Sequence, residues 1–595
     1  MQEVAERSFV ILGAGPAGLT AGLELTRCGV RPIVLERGKL VGGIARTENY
    51  KGFHFDMGGH RFFTKCSEIQ KLWEQILPGD FLRRPRLSRI YYRGRFFHYP
   101  LRPLETLARL GIGEAALIVL SYLRWQLLPY PREDSFEQWV TNRFGQRLFE
   151  TFFRTYTEKV WGIPCSELRA EWAAQRIKNL SLRSILMNFL TRPSEPITTL
   201  IEEFHYPRLG PGMMWRAVAS QIEASGGSLR LESEVTRIRW APGRVLGVEV
   251  QRNDCREVLE ATDVVSSVPV TEFIKRLDPP APPDVLEAAH GLRYRDLLTV
   301  CLIVNQRALF PDNWIYVHDP AVRVARIQNF KNWSPDMVPD MGQTSLGFEY
   351  FCNERDALWA SPDVELIELA KRELVQIGLA AAQDVNDGCV FRVPNAYPVY
   401  DAAYAEQLAV VRRFMDGFTN CQTIGRNGLH RYNNQDHSML TALSAVRNAL
   451  FDEKHDLWEI NTDQEYLEEV RERQAARAAR EEIASGAVAE LLETFDPVAM
   501  GLSAGVVCGA LLFLATLILV LKGGTVVGPT LALLAEYFPG YSITAAGSLV
   551  GLAYGAALGF AGGWAFAGSR TMASFLFLAL VRRQLDLRML GRLLE

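Results

Sequence analysis

Three glycines and one acid near the beginning of the chain have the types and spacing of a dinucleotide-binding turn. Gly13, Gly15 and Gly18 follow a short β-rich run at 9–12, and Glu36 closes a second such run 18 residues after the last glycine. The first glycine allows a tight turn, the second lets the backbone approach a pyrophosphate, and the third lets a helix pack against the strand. The N-terminus of that helix would bind phosphate, and Glu36 would accept a ribose hydroxyl. The pattern predicts a dinucleotide site, with a glycine-rich turn in a buried βα unit as the alternative.

A second glycine loop favours FAD over NAD as the dinucleotide. Gly43 and Arg46 follow the acid within ten residues, so another loop with a cation could close over the same pyrophosphate. A solvent loop with an incidental arginine is the alternative. The run 228–238 has strand character and would return the chain to the same fold. From these patterns we expect the cofactor to contact Gly13, Gly15, Ala17, Gly18, Glu36, Arg37, Gly43, Arg46 and Val235.

Composition argues against several classes of protein. The 595 residues carry a net charge of −3, which argues against nucleic acid as a partner. Charged residues at 22% and aromatic residues at 10% argue against a disordered chain. Nine cysteines without a CxxC pair predict neither a metal site nor a disulfide framework, and they fit a reducing compartment. The first fifteen residues lack the basic region and cleavage site of a signal peptide.

The elements that would position these residues alternate along the chain. We predict an α/β fold, in which an FAD-binding Rossmann-type domain carries inserted helical and mixed-sheet substrate domains and is followed by a C-terminal α-helical transmembrane hairpin. The expected FAD-binding domain has three parts, at 1–65, 201–275 and 416–455. The remaining regions are a mainly helical cap domain at 66–200, a mixed-sheet substrate domain at 276–415, a charged helical connector at 456–497, and the hairpin with its basic tail at 498–595.

Two long uncharged runs near the end of the chain predict the membrane hairpin. Residues 498–521 and 543–567 carry no charge, and each run is long enough to span about 30 Å of hydrocarbon. A buried helical pair in a soluble domain is the alternative. Glycines recur every four residues, so one face of each helix would allow close backbone contact within the hairpin, in a homo-oligomer or with a membrane partner. These ridge glycines are Gly501, Gly505, Gly509, Gly547, Gly551, Gly555, Gly559 and Gly563.

The basic residues after the second run predict its orientation. By the positive-inside rule they place the C-terminal tail in the cytoplasm. Two spans return the chain to the same side of the lipid bilayer, so the catalytic domain is expected in the cytoplasm too. The arginines are Arg570, Arg582, Arg583, Arg588 and Arg592.

Several further segments together resemble one flavoprotein family. They are Gly58-Gly59-His60, 156–162 with Trp161, 326–331 with Arg326, Glu349-Tyr350, Ala396-Tyr397-Pro398, and 425–436 with Tyr432. This set resembles UDP-galactopyranose mutase and its relatives in the amine-oxidase/protoporphyrinogen-oxidase superfamily. The resemblance covers roughly residues 7–450, and the glycine turn is shared by the whole superfamily. The hairpin has no counterpart in the soluble mutases.

The resemblance implies roles for individual residues in a glutathione-reductase-2-like fold that uses FAD in its reduced form. The further flavin contacts that it implies are Gly59, His60, Gly425, Arg426 and Asp436. The implied catalytic residues are His60, Trp161, Arg326 and Tyr432. The implied substrate contacts are Trp161, Arg183, Arg326, Tyr350, Tyr397 and Tyr432. Each aromatic side chain could instead be core packing, and Arg326 could instead belong to a surface ion pair.

Three departures from the mutase pattern affect the expected substrate. Asn434 replaces an acid, His430 stands where many mutases carry tyrosine, and Asn179 occupies one arginine position of a segment in which Arg183 keeps the other. The site that binds the diphosphate could therefore be rebuilt.

Three functions are compatible with these patterns. The first is a mutase-like enzyme whose reduced flavin attacks a sugar attached to a nucleotide diphosphate or to a polyprenyl (di)phosphate carrier. The second is an FAD-dependent oxidase or desaturase of an isoprenoid, porphyrin or amine. The third is a flavin-binding membrane scaffold without turnover. We expect the first, with a small-molecule or lipid-linked sugar as substrate.

Overall fold

The computed structural model describes residues 7–64, 66–99, 101, 103–170, 203–460, 496–523 and 529–593. The chain divides into two compact units, Met1–Tyr466 and Leu467–Glu595. Arg183, Asn179 and the charged stretch of the predicted connector at 464–493 lie outside the described residues.

A five-stranded sheet of parallel strands forms the centre of the first unit. Its strands are short and apolar, and all four residues of the first one are buried, as is typical of a parallel sheet covered on both faces. The spatial order is β20-β13-β1-β2-β9. These strands are β1 (Phe9–Leu12), β2 (Ile33–Leu35), β9 (Ser228–Arg230), β13 (Asp263–Ser266) and β20 (Cys421–Thr423).

A seven-stranded mixed sheet forms a second layer, with a hydrophobic cluster on each face. Its order is β19-β15-β18-β17-β16-β6-β7, and all neighbours are antiparallel except the parallel pair β6 and β16. These strands are β6 (Ser88–Tyr92), β7 (Arg95–His98), β15 (Tyr294–Val304), β16 (Trp314–Val317), β17 (Arg326–Asn329), β18 (Thr344–Cys352) and β19 (Val385–Pro398).

The hairpin of β6 and β7 lies inside the region predicted to be mainly helical. Arg93 and Gly94 connect the two strands, and both have positive φ, at 48° and 71°. Two successive residues with positive φ form a tight turn that matches the twist of paired strands. The aromatic residues of this region therefore extend the mixed sheet rather than forming a helix.

Three smaller sheets complete the strands that the structure describes. A four-stranded sheet has the order β12-β11-β10-β14, and two pairs, β3 with β4 and β5 with β8, stand alone. These strands are β3 (Thr47–Tyr50), β4 (Phe53–Asp56), β5 (Phe81–Pro85), β8 (Glu203–Pro207), β10 (Ser233–Ala241), β11 (Arg244–Arg252), β12 (Cys255–Glu260) and β14 (Leu277–Asp278).

Helices cover both large sheets of the first unit. The helix that follows β1 begins at the glycine turn, and Pro16 occupies its first position. The backbone N–H at this position has no partner within a helix, so proline costs no hydrogen bond there. The helices are α1 (Pro16–Arg27), α2 (Ser67–Ile76), α3 (Pro103–Leu110), α4 (Ile112–Leu127), α5 (Phe136–Phe144), α6 (Gln146–Phe149), α7 (Thr155–Trp161), α8 (Pro211–Ala224), α9 (Val270–Lys275), α10 (Pro283–Gly291), α11 (Phe330–Trp333), α12 (Ala357–Ala360), α13 (Asp363–Ile377), α14 (Tyr404–Met415), α15 (Gly425–Gly428) and α16 (Gln435–Phe451).

The second unit is a helical hairpin. Two of its helices are long and apolar enough to cross a membrane by length and composition, over Pro497–Lys522 and Ala545–Arg570. The hydroxyl groups of Thr516 and Tyr541 form a buried hydrogen bond of 2.6 Å within the hairpin. The helices are α17 (Pro497–Lys522), α18 (Pro529–Ala532) and α19 (Ala545–Leu593).

The glycine ridges of the two long helices face each other. A Cβ atom placed on Gly559 would lie 2.5 Å from the carbonyl oxygen of Ala504, and one on Gly505 would lie 2.8 Å from that of Ala556. Backbone carbonyls cannot move aside as side chains do, so these positions require glycine. Of the three uses left open by the sequence, the structure shows the ridges packed within the hairpin.

We therefore expect Gly559→Leu to weaken the hairpin, because the new side chain would overlap the backbone of α17. Overpacking of this kind costs about 1–3 kcal/mol. Gly562→Leu is the matched control, since a Cβ atom there would meet nothing within 4 Å. Thermal unfolding of the full chain in detergent, followed by circular dichroism, should show a lower midpoint for Gly559→Leu alone. Equal midpoints for the two variants would contradict the packing described.

Candidate functional site: a cavity at the glycine turn

A cavity of about 550 Å³ lies where the strands of the parallel sheet end. In sheets of this kind ligands bind outside the carboxyl ends of the strands. Eleven of the fourteen residues predicted to contact the cofactor line this cavity. They are Gly13, Gly15, Ala17, Glu36, Arg37, Gly43, Arg46, His60, Val235, Gly425 and Arg426.

The three glycines of the turn have different structural roles. Gly13 has a φ of +95°, which side-chain-bearing residues rarely adopt, and its N–H donates to Leu35 at 2.8 Å. A Cβ atom on Gly18 would overlap the carbonyl oxygen of Gly13, so Gly18 serves the packing of α1 and does not line the cavity. Gly15 lines the cavity, and a Cβ atom there would meet only the Cα of Gly43, at 3.8 Å. Gly15 and Gly43 therefore bring the two glycine loops together at the cavity wall.

Glu36 and Arg46 are each held in place by hydrogen bonds. The Glu36 carboxylate accepts from the N–H groups of Ala14 at 2.9 Å and Gly38 at 2.8 Å. Arg46 donates to the Glu48 carboxylate at 2.6 Å and to the Gly43 carbonyl at 3.0 Å. A carboxylate retains lone pairs for a ribose hydroxyl after two such bonds. The geometry thus fits the predicted contact of Glu36 with ribose.

Three amide side chains on the cavity wall carry buried polar atoms without a hydrogen-bond partner among the described residues. They are Asn427 through its Oδ1, Gln435 through its Nε2, and Asn433 through both ends of its amide. Buried polar atoms are normally paired, so these groups call for a polar ligand. Together with the glycine walls they fit a flavin dinucleotide. The predicted contact Asp436 is buried in the first turn of α16, 3.1 Å from the His437 ring, and it does not line the cavity.

The loop that carries His60 is held by a buried carboxyl group. Asp56, at the end of β4, accepts hydrogen bonds from the hydroxyl groups of Tyr206 and Thr47, the latter at 2.7 Å. His60 lines the cavity, and its Nε2 lies 3.0 Å from the Met57 carbonyl. Burial and the nearby Arg426 guanidinium lower the pKa of His60 to about 4. The ring is therefore neutral at physiological pH and serves as a hydrogen-bonding group.

The burial of Asp56 predicts a pH-dependent stability. Burial raises its pKa from 3.8 to about 7, so the folded chain holds this proton more tightly than the unfolded chain. The free energy of unfolding should therefore fall as pH rises from about 4 to about 7, by about 4 kcal/mol for a pKa difference of about three. Asp56→Asn should lack this decline. The check is the denaturation midpoint of both proteins across this range, and parallel pH profiles would contradict the assignment.

An aromatic cluster lies beside the cavity and contains three of the predicted substrate contacts. Tyr397 and Tyr432 stack at 5.4 Å between ring centroids, and Trp161, the last residue of α7, lies 6.4 Å and 6.2 Å from them. The guanidinium of Arg426 lies over both tyrosine rings, at 5.4 Å and 4.5 Å. Arg426 donates to the carbonyls of Asn433 and Ala396 and forms no ion pair within the described part of the chain. Its positive charge thus remains available at the cavity edge.

Arg326 reaches the same cluster, but a buried carboxylate compensates its charge. It donates to Glu349 at 2.6 Å and to the Tyr397 hydroxyl at 2.7 Å. Gln328 donates to the other oxygen of Glu349, also at 2.6 Å. Burial raises the pKa of Tyr397 to about 12, so this phenol is neutral and accepts the bond. Arg326 therefore orients Tyr397 while its charge is balanced by Glu349.

Besides Gly18 and Asp436, two further predicted site residues lie outside both the cavity lining and the aromatic cluster. Tyr350 donates to Glu373 at 2.9 Å and packs in the hydrophobic cluster on the opposite face of the mixed sheet. A Cβ atom on Gly59 would lie 2.9 Å from the Gln328 amide, but Gly59 does not line the cavity.

The sequence analysis included Glu349, Asn433 and Gln435 in family-like segments but assigned no role to any of them. The signal for Glu349 was available, because side chains alternate along a strand. Glu349 pairs across the sheet with Arg326, whereas its neighbour Tyr350 must face the other way. The sequence carried no such signal for the two amides, because the hydrogen-bond partners of a side chain depend on which groups approach it in the fold.

Comparison with known proteins agrees with this architecture. The sequence profile of the flavin-containing amine oxidoreductases matches residues 16–420. Coproporphyrinogen III oxidase of Mycobacterium leprae is 23% identical over 440 residues, which cover 69% of this chain and 91% of the relative. Phytoene desaturase (neurosporene-forming) of Cereibacter sphaeroides is 27% identical over 305 residues, which cover 46% of this chain and 55% of the relative.

Solved structures share the fold over three quarters of the chain. Reduced UDP-galactopyranose mutase superposes with a TM-score of 0.66 at 21% identity, covering 76% of this chain and 96% of the mutase. A redesigned putrescine oxidase superposes with a TM-score of 0.54 at 15% identity, covering 75% and 99%. At these identities the likeness establishes the fold alone, and it confirms the predicted α/β flavoprotein architecture. The profile match extends over more than half of the sequence, so the chain belongs to the flavin-containing amine oxidoreductase family and its cofactor is FAD.

Proposed function

We propose that this flavoenzyme acts on a sugar attached to a phosphate or diphosphate carrier, with its FAD in the reduced form. The observation that carries the proposal is the polar aromatic wall beside the cavity, where Arg426 lies over the stacked rings of Tyr397 and Tyr432. Aromatic faces bind sugar rings and bases, and an arginine without a carboxylate partner attracts phosphate. The proposal also rests on the mutase-like segments that contain these residues.

In this proposal the residues of the chain bind and orient, while the cofactor supplies nucleophilic chemistry at the sugar. Arg426 would bind the negative charge of the departing phosphate. Arg326 and Glu349 would hold the Tyr397 hydroxyl toward the substrate, and Trp161 would limit where the sugar ring can lie. The neutral His60 ring would donate or accept one hydrogen bond beside the flavin. Arg183 could add a second cation, as the resemblance implies.

A second candidate is an oxidase or desaturase of an apolar or amine substrate. Two observations favour it. Glu349 compensates the charge of Arg326, one of the two arginines among the implied substrate contacts, so this cation is not free to bind a diphosphate. The names of the curated relatives are those of an oxidase and a desaturase. An apolar substrate would require no cation at this place.

A product assay separates the two candidates. The enzyme would be reduced anaerobically with dithionite and incubated with nucleotide-linked and polyprenyl-linked sugars, and the ring form of each sugar would be followed by chromatography. We expect a changed ring form only with reduced enzyme. Tyr432→Ala should lower kcat/KM strongly, whereas Tyr350→Phe, on the opposite sheet face, should leave it unchanged. No conversion of any sugar in this series would count against the proposal.

We also propose that the two apolar helices cross a membrane and leave the flavin unit and the C-terminus in the cytoplasm. The composition of the helices and the arginines after the second one support this topology. Cys255 is exposed and lies in the flavin unit, so it can report the topology. A membrane-impermeant maleimide should label it only after the expressing cells are lysed, and labelling in intact cells would contradict the orientation.

A further inference from the structure

The outer face of α4 is apolar and exposed. Four leucines recur along this face at intervals of three or four residues, and half or more of each side chain is exposed: Leu117 (50%), Leu120 (62%), Leu123 (51%) and Leu127 (80%). Leu128, directly after the helix, is 72% exposed. On a soluble domain a stripe with this spacing normally faces the core. Contiguous apolar surface of this kind marks an interaction site. The stripe on α4 therefore calls for a partner.

Two polar residues in the first three turns of the same helix, Glu114 and Ser121, point toward the protein. Glu114 forms a two-bonded ion pair with Arg147 of α6, at 2.6 Å and 2.9 Å. The Ser121 hydroxyl accepts a hydrogen bond from the backbone N–H of Arg147 at 3.1 Å. Ile118, which lies between Glu114 and Ser121 in the sequence, is buried. These two polar groups thus face inward while the leucines face outward, which is the reverse of a helix on a water-facing surface.

The C-terminal end of α4 carries the residue types that prefer a membrane–water boundary. Trp125 packs on Tyr130 at 4.5 Å between ring centroids, and the guanidinium of Arg124 lies 5.7 Å from the Trp125 ring. Tryptophan and tyrosine are enriched at lipid headgroup level, and arginine pairs with anionic headgroups. Together with the leucine face, these residues give α4 the composition of a helix that lies at a lipid surface.

We propose that the outer face of α4 docks onto the surface of a lipid bilayer. The helix has 16 residues, which is about 24 Å and too short to span the hydrocarbon, so it would lie in the plane of the interface. The same chain has two helices long and apolar enough to cross a membrane, which makes a bilayer a more natural partner than a second copy of the chain. Because α4 lies in the same helical region as α7, which ends in Trp161, docking would hold that region at the lipid surface.

Photolabelling of the full chain tests the proposal. The protein would be reconstituted in nanodiscs that contain phosphatidylcholine, phosphatidylglycerol and a phosphatidylcholine with a diazirine in its acyl chain. After irradiation and proteolysis, mass spectrometry would identify the labelled peptides. We expect label on the peptide that contains 112–128 as well as on the two apolar helices of the hairpin. Label confined to the hairpin would overturn the proposal.

Matched variants show whether the leucine face carries the contact. Leu120→Glu combined with Leu123→Glu should remove the label from α4 and leave that of the hairpin unchanged. Val364→Glu is the control, because Val364 is 72% exposed on α13, a helix with a charged surface, and it should not alter the pattern. Chemical crosslinking between copies through α4, without lipid label there, would identify a second copy as the partner and contradict docking on lipid.

Discussion

The Gly15→Val variant should fold and yet lose most of its FAD. The Gly15 backbone is extended, with φ −80° and ψ −177°, which valine adopts readily. No atom of the described protein approaches its Cβ position more closely than 3.8 Å. The new methyl groups would therefore enter the cavity where the backbone must approach the pyrophosphate. We expect the dissociation constant for FAD to rise by about two orders of magnitude, which is about 3 kcal/mol.

The measurement is the titration of apoprotein with FAD, followed by flavin fluorescence. The thermal midpoints must be compared between apoproteins, because bound cofactor adds stability of its own. Gly18→Ala provides the contrast, since its Cβ would overlap the Gly13 carbonyl and should destabilise the apoprotein itself. Gly113→Val, which meets no atom within 4 Å, should leave FAD binding unchanged. Full FAD affinity in Gly15→Val would show that the cofactor does not approach this turn.

Removal of either partner of the Arg326–Glu349 ion pair should destabilise the fold strongly. The Glu349 side chain is fully buried and that of Arg326 is 16% exposed, so each single alanine variant leaves a charge with little access to water. Breaking such a pair typically costs about 3–5 kcal/mol. The double variant Arg326→Met/Glu349→Leu removes both charges and should cost less than the sum of Arg326→Ala and Glu349→Ala.

Urea unfolding of the holoprotein in detergent measures these differences. Glu203→Ala is the control, because Glu203 and Arg83 form an ion pair at 2.6 Å that is largely exposed to water. Exposed pairs contribute about 0–1 kcal/mol, so this variant should unfold close to the wild type. If Glu349→Ala were equally mild, the carboxylate would not be needed to compensate Arg326.

Local patterns in the sequence predict well which residues line the cavity at the glycine turn. The spacing of Gly13, Gly15 and Gly18 relative to Glu36 depends only on a strand, a turn and a helix, which are close in the chain. The facing glycine ridges follow similarly from a four-residue repeat, although the sequence does not reveal which helix the ridge contacts. Their partner becomes clear only from the positions of Ala504 and Ala556 in the hairpin.

Contacts between distant strands explain what the sequence does not predict. Arg326 was expected to contact the substrate, but the register of β17 against β18 places Glu349 opposite it. The same register turns Tyr350 to the other sheet face. Likewise, β6 extends the mixed sheet only because it pairs with β16, more than 200 residues later. A one-residue change in register would exchange the faces of the sheet, so these features depend on tertiary packing.

The redox state of the flavin during turnover tests the proposed chemistry most directly. The visible absorbance of bound FAD would be recorded anaerobically while a phosphate-linked sugar is added to reduced enzyme and, separately, while apolar and amine substrates are added to oxidised enzyme. We predict that the flavin stays reduced while the sugar changes its ring form, and that oxidised enzyme is not reduced by the other substrates. Stoichiometric reduction of the oxidised flavin by an apolar or amine substrate would contradict it.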